Sequence, residues 1–257
     1  MTAGARPAKA ALLPVAGLVL WEVAMRVNDV QSDSLAPPSA IATAFAKALI
    51  DGTIATRTWE TLQAAVIGLA IGGGAAVIGS AILGLVPLLA RLMLVTIEVL
   101  RPIPTVALIP LALLVFGFGI AMEAALVAKS CFWPILIYGV AAIRSIEPRL
   151  LEVGRTLRLS PVAIVTKIVL PAALPRYFVA FRLAAAVALI IAVTTEITTN
   201  PIGIGAELML AAQSLHPDLM FAMLLWLGIV GWSLNAFLLF LQRRLFGAMS
   251  TTTELAR

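Results

Sequence analysis

Apolar residues run along this chain in long blocks, and the short segments between the blocks collect most of the charge. Thr61 to Ala90 holds thirty positions without a charged side chain. A bilayer core about 30 Å thick needs roughly 20 apolar residues as helix, so this block predicts a membrane span. Ala121 to Ala142, which carries Glu123 and Lys129, predicts another, as do Leu183 to Asn200 and Leu219 to Leu241. Leu92 to Gly119 predicts a further span, although Glu98 and Arg101 interrupt it and Pro102, Pro104 and Pro110 each remove a backbone donor. Such a stretch is read either as a pore-lining broken helix or as a helix that is merely kinked. Ala10 to Met25 is a shorter run behind Arg6 and Lys9. It is read as a retained first helix with an interfacial end at Trp21, Glu22 and Arg26, the alternative being a cleaved signal peptide. The pattern predicts an all-α integral membrane protein of about six transmembrane helices. A single transmembrane domain over residues 1–257, with its core at about residues 57–245, is expected.

Composition agrees and adds orientation. Hydrophobic residues make up 61% of the chain and charged residues 12%, against about 25% charged in ordinary soluble domains. The net charge of +5 does not require nucleic acid, because the basic residues sit at the ends of apolar runs where membrane topology explains them. Arg6, Lys9, Arg91, the segment from Arg144 to Arg176, and Arg243 with Arg244 fall on one side if six helices cross. By the positive-inside rule that side is cytoplasmic and holds both termini. Residues 201–218 contain no Lys or Arg, and residues 28–60 carry four acids against two bases, as outer loops do. Cys131 is the one cysteine, so no intrachain disulfide is available.

Gly68, Gly72, Ala76, Ser80 and Gly84 recur every four residues and form a stripe of small side chains that lets another helix approach closely, within one protomer or across a dimer. Ala184, Ala188, Ala192 and Glu196 form a similar line, which turns Glu196 toward protein or a water-filled path. Ionisable groups at membrane depth are functional candidates. Lys129 and Glu196 are read as a pair, or Lys129 as positive potential on an anion's route; Glu98 and Arg101, three apart, are a second possible pair. Arg101, Pro102, Pro104, Lys129 and Glu196 are the candidates for a translocation path.

Several chemistries are missing. There is no phosphate loop of the G-x-x-x-x-G-K-[ST] kind, so the chain shows no means of hydrolysing ATP. Gly203-Ile204-Gly205 after Pro201 is a turn signal rather than a dinucleotide site, and His216, the sole histidine, reads as a solvated loop residue. No metal site, cofactor site or catalytic cluster is expected.

Residues 144–175 interrupt the oil with a polar segment that reads as two short helices. Pro148 suits a first helical position; Leu150, Val153 or Gly154, and Leu157 then share one face, while Arg149, Glu152 and Arg155 share another. Ser160 is placed to cap a second helix that starts at Pro161 and presents Ile164, Ile168 and Val169 until Pro171 and Pro175 stop it.

This segment resembles the cytoplasmic signature E-A-A-x-x-x-G-x9-I-x-L-P of permease subunits of binding-protein-dependent ABC importers. Glu152, Ile168, Leu170 and Pro171 fall on it without a gap, whereas Val153 and Gly154 replace the alanines and Arg158 stands at the glycine. That glycine fits a helix end needing a left-handed residue. "LAPPSAI", "LRPIPTVALIPLALLVFGFG" and "IVLPAALPRYFVAFRLA" are similar to the branch containing nitrate, aliphatic sulfonate and taurine permeases. The resemblance implies a type I importer permease fold in a bacterial inner membrane, working as a dimer with a second permease copy. It also implies two cytoplasmic ATPases that bind the ATP and an external substrate-binding protein. On that likeness Glu152, Val153, Gly154, Leu157, Arg158, Ser160, Ile168, Leu170 and Pro171 couple the chain to the ATPase. Rival readings are a channel or ion-coupled transporter, and a membrane-embedded enzyme.

Overall fold

The structure is a computed structural model that describes residues 5–27 and 32–247, with side chains from Leu13 onward. The side chains of Arg6 and Lys9 lie outside the described ones. All regular structure among the described residues is helical. Helix α1 spans Ala5–Val27 and α2 spans Pro38–Ile50. Glu22 near the end of α1 pairs with Arg26 at 2.5 Å and accepts the Ser39 amide and hydroxyl, tying the two helices together. Between α2 and the next helix, Asp51 accepts the Thr53 amide at 2.9 Å, and this bond holds its carboxyl below the ordinary aspartate range.

Among the described residues four helices are long and apolar enough to cross a membrane: α3 (Thr53–Leu85), α6 (Ile120–Arg144), the continuous helix Pro161–Thr198, and α11 (Pro217–Phe246). Helices α6 and α11 contain their predicted spans, whereas the predicted Thr61–Ala90 runs five residues past the end of α3 and Leu183–Asn200 two residues past the end of the continuous helix. The expected third span differs, because the chain forms α4 (Pro87–Leu100), leaves helical geometry at Arg101, makes a 3-10 turn at Val106–Leu108, and resumes as α5 (Ile109–Phe116). Pro102 and Pro104 lie in the gap, so the helix is broken here and not only kinked.

The continuous helix corrects a second expectation. Pro171 and Pro175 do not stop it; α8 (Pro161–Ile164) passes through a π turn at Val165–Val169 into α9 (Leu170–Thr198). Leu170 N donates five residues back to Val165 O, so the helix widens just before Pro171, which has no amide hydrogen to give. Two shorter helices complete the chain: α7 (Pro148–Thr156) and α10 (Ile204–Gln213), at opposite ends of the bundle.

Helix α6 packs along α3 on one side and α9 on the other. Small residues make this possible, since between helices in lipid close van der Waals contact replaces the hydrophobic effect. A β-carbon on Gly68 would come within 2.5 Å of Val127 Cβ, one on Gly84 within 2.8 Å of Ile143 Cγ2, and one on Gly72 would strike the Ala128 backbone. The stripe is therefore spent on packing inside the protomer. Ala180, Ala184, Ala188 and Ala192 are buried on α9, and Ser80 and Tyr177 bond at 2.7 Å through the space that Gly139 leaves open.

Gly72→Ala is expected to lower stability by about 1–3 kcal/mol through overpacking. Gly74, which faces open space, is the control. Gly74→Ala should be neutral or stabilising by up to about 1 kcal/mol, because alanine is the better helix former. Thermal midpoints of the two variants in detergent check the contrast.

Candidate functional site

Helix α7 forms a hairpin with α8, and glycine decides how it sits. Gly154 is buried, with a β-carbon there 2.8 Å from Ile168 Cδ1 and 3.3 Å from Ile164 Cγ1, and Leu151 packs toward the main core. The choice left open between Val153 and Gly154 is thereby settled: Gly154 turns inward. Leu150, Val153 and Leu157 remain as an exposed apolar stripe, with Glu152 and Arg155 exposed beside it. The helix is thus anchored by one face and carries an unpartnered apolar stripe on another.

The end of α7 has a Schellman geometry. Leu159 N donates to Gly154 O at 3.0 Å and Arg158 N to Arg155 O at 2.9 Å, with Arg158 at φ 51°. Arg158 thus holds the left-handed backbone that the signature assigns to glycine. Ser160 then caps α8, its hydroxyl accepting the Ala163 amide at 3.2 Å, with Pro161 at the first helical position. Ile168 lies in the π turn against Gly154, while Leu170 and Pro171 begin α9 and are exposed.

A second group of residues surrounds the break in the third span. Lys129 of α6 donates to Ile103 O in the gap and to Thr105 Oγ1 at 3.2 Å, and Thr105 and Ser130 share a hydrogen bond of 2.6 Å. The break frees carbonyls, and the ammonium satisfies one. Lys129 and Glu196 do not pair, and neither do Glu98 and Arg101, both of which are exposed. Among the described residues no carboxylate lies within ion-pair distance of Lys129.

The third group was largely missed from sequence. Gly203, Ile204 and Gly205, expected only to turn, present three successive amides at the start of α10. Glu60 accepts the first at 2.9 Å, Thr61 the second at 2.9 Å and Glu196 the third at 2.7 Å. Asn200 accepts the Gly119 amide at 2.9 Å and donates to Glu123 at 2.8 Å, and Arg57 bridges Glu60 and Glu207 at 3.1 and 3.0 Å. The available signal was the run of helix-start amides itself, which require acceptors wherever water is scarce. His216 is exposed, as expected of a loop residue.

Residues 68–251 match the family model described as "Binding-protein-dependent transport system inner membrane component". The chain is similar to the Bacillus subtilis protein named "Putative aliphatic sulfonates transport permease protein SsuC", with 27% identity over 92% of this chain and 86% of the relative. The Escherichia coli protein of the same name is 30% identical over 85% of this chain and 83% of its own length. Among solved structures, an inward-facing methionine ABC transporter, MetNI, has a chain of similar fold, with TM-score 0.65 and 19% identity over 72% of this chain and 93% of that one. The family match and the helical architecture agree, and the chain belongs to the binding-protein-dependent transport system inner membrane components, the permease subunits of ABC importers.

Proposed function

We propose that this permease passes a small anion or polar organic solute of the sulfonate, taurine or nitrate kind, and that the α7–α8 hairpin couples it to ATPase subunits. The observation that carries the coupling is the stripe of Leu150, Val153 and Leu157, left exposed on a helix whose opposite face Gly154 locks against Ile168. A partner seated on that stripe moves α8, and with it the continuous helix to Thr198. The hairpin end of the bundle is then cytoplasmic, as its basic residues favour, and both termini lie on that side. ATP is bound and hydrolysed by two cytoplasmic partner subunits, the permease itself being non-catalytic, and an external binding protein delivers the solute to the α2 and α10 end. Residues 1–257 act as one permease domain, with residues 144–175 as its coupling segment. A second copy of the chain completes the path, and α4, apolar yet without one buried residue, supports that pairing.

The path itself follows the broken third span. Arg101, Pro102 and Pro104 form the gap, and Lys129 brings to it a positive charge that no carboxylate neutralises. A cation unmatched at membrane depth favours an anion beside it. Glu196 belongs to the same path only as a support at its far end, since it is buried against α10.

Val153→Asp and Glu152→Ala are expected to weaken co-purification of the ATPase, the aspartate by roughly tenfold or more, as for a truncated interface anchor. The thermal midpoint of the permease should not change in either. Unaltered ATPase binding and transport in both variants overturns the docking surface.

Arg158→Gly relieves a left-handed backbone that costs a side-chain-bearing residue roughly 1–2 kcal/mol. The variant should match or exceed the wild type in thermal stability and keep ATPase coupling. Lost transport with intact assembly would show instead that the arginine makes a contact of its own.

Lys129→Met is expected to cut uptake of an alkanesulfonate by the assembled transporter roughly tenfold or more, the scale of a lost charge-assisted hydrogen bond. Lys129→Arg should retain most of it, with ATPase assembly unchanged in both. Equal uptake in the methionine variant removes Lys129 from the path.

A further inference from the structure

Lys129, Thr105 and Ser130 meet beside the proline-rich gap with more hydrogen-bond donors than they use. An ammonium carries three hydrogens and a hydroxyl one. Lys129 gives one hydrogen to Ile103 O and one to Thr105 Oγ1 at 3.2 Å, and among the described residues the third has no acceptor. Thr105 Oγ1 and Ser130 Oγ lie 2.6 Å apart, and either can be the donor. If Thr105 donates, the Ser130 hydrogen is left over; if Ser130 donates, the Thr105 hydrogen is left over. In both arrangements one hydroxyl hydrogen and one ammonium hydrogen are spare, on side chains in direct contact.

This surplus is accessible and carries a charge. All three side chains are half-buried, so none is sealed from a solute. Among the described residues no acid forms an ion pair with Lys129. Arg101, at the end of α4, is exposed and takes no part in these bonds. A lysine needed only to satisfy the Ile103 carbonyl would not require two hydroxyls beside it. Two spare donors around one uncompensated charge match a group that brings one negative charge and at least two acceptor oxygens.

On the path proposed above along the broken third span, we infer that Lys129, Thr105 and Ser130 form a subsite for a singly charged oxyanion, the sulfonate or nitrate group of the solute. One oxygen accepts from the ammonium and a second from whichever hydroxyl is free. Because the two hydroxyls can exchange roles, the pair always holds one hydrogen ready, and the ammonium supplies the charge that a neutral hydroxyl cannot. A dianion leaves half of its charge unmatched, and chloride presents no second acceptor atom.

Thermal midpoints of the full chain in detergent, titrated with sodium methanesulfonate, sodium sulfate or sodium chloride at matched ionic strength, read the affinity of this subsite. The shift that counts is the difference from Lys129→Met in the same salt, which removes the general effect of salts on stability. The wild-type midpoint should rise saturably with methanesulfonate and less with sulfate or chloride. Thr105→Val and Ser130→Ala each leave one hydroxyl hydrogen spare, so the dissociation constant for methanesulfonate should stay within about threefold of the wild type in either. The double variant leaves none and should bind roughly tenfold or more weakly, the scale of a lost hydrogen bond to a charged group. No rise in the wild type, an equal rise with chloride or sulfate, a double variant that binds like the wild type, or single variants that lose as much as the double one overturns the proposal. If the double variant does not fold, the wild-type comparison of methanesulfonate with chloride decides alone. Uptake by the assembled transporter reports the path and this titration reports the subsite. Normal methanesulfonate affinity in the double variant, with uptake lost in Lys129→Met, therefore overturns the subsite and leaves the path in place.

Discussion

Backbone polar groups that water cannot reach must find partners inside the protein, and in a membrane chain this requirement governs every place where a helix breaks. The described residues meet it with side chains at three such places. Lys129 takes the Ile103 carbonyl at the proline-rich gap, Asn200 takes the Gly119 amide where α6 begins, and Glu60, Thr61 and Glu196 take the three leading amides of α10. Thr61, Glu196 and Asn200, three of the six buried polar or charged side chains among the described residues, are accounted for in this way. The proposed path runs along one of these breaks, where polar backbone and the Lys129 charge come together.

Between the breaks the helices are nearly featureless, and their packing rests on what is absent from their surfaces. Gly68, Gly72 and Gly84 bring α3 against α6 so closely that a methyl group would collide, and the alanines of α9 do the same on the other side. Close-packed interiors transmit displacement instead of absorbing it. One helix, Pro161–Thr198, carries the Ser160 cap at one end and Glu196 near the other, a length of roughly 57 Å at about 1.5 Å per residue. A push on α7 and a shift of α10 against Glu196 thus act on the two ends of one rod.

Sequence made the spans, the small-residue stripe and the hairpin legible, because each depends on a local period: twenty apolar residues, a four-residue repeat, or Ser160 before Pro161. It even located the left-handed position at Arg158, since the signature keeps its spacing through the substitution. What it left hidden depends on distance along the chain. Glu60 and Gly203 are 143 residues apart, and Glu123 and Asn200 are 77 apart. No periodicity joins such residues, so Glu123 looked like one stray acid and Gly203-Ile204-Gly205 like an ordinary turn. The Lys129–Glu196 pairing failed for the same reason. Opposite charges on neighbouring helices suggested a bond, but each group had a nearer backbone partner that needed it more.

The π turn at Val165–Val169 brings the hairpin and the long helix into one mechanism. Proline at 171 removes a donor, and a helix of ordinary pitch would leave the corresponding carbonyl without a partner and crowd the ring against the preceding turn. Widening that turn by one residue avoids both difficulties, at the cost of weaker local hydrogen bonding. Ile168 sits within the widened turn and is the residue against which Gly154 closes, so the most compliant part of the long helix is also where α7 is fastened. The Ile168, Leu170 and Pro171 spacing is thereby explained without reference to any partner. The wide turn accommodates the proline and presents isoleucine to the hairpin, and glycine at 154 makes room for it. On the proposed coupling, a partner seated on α7 acts on α9 through this turn.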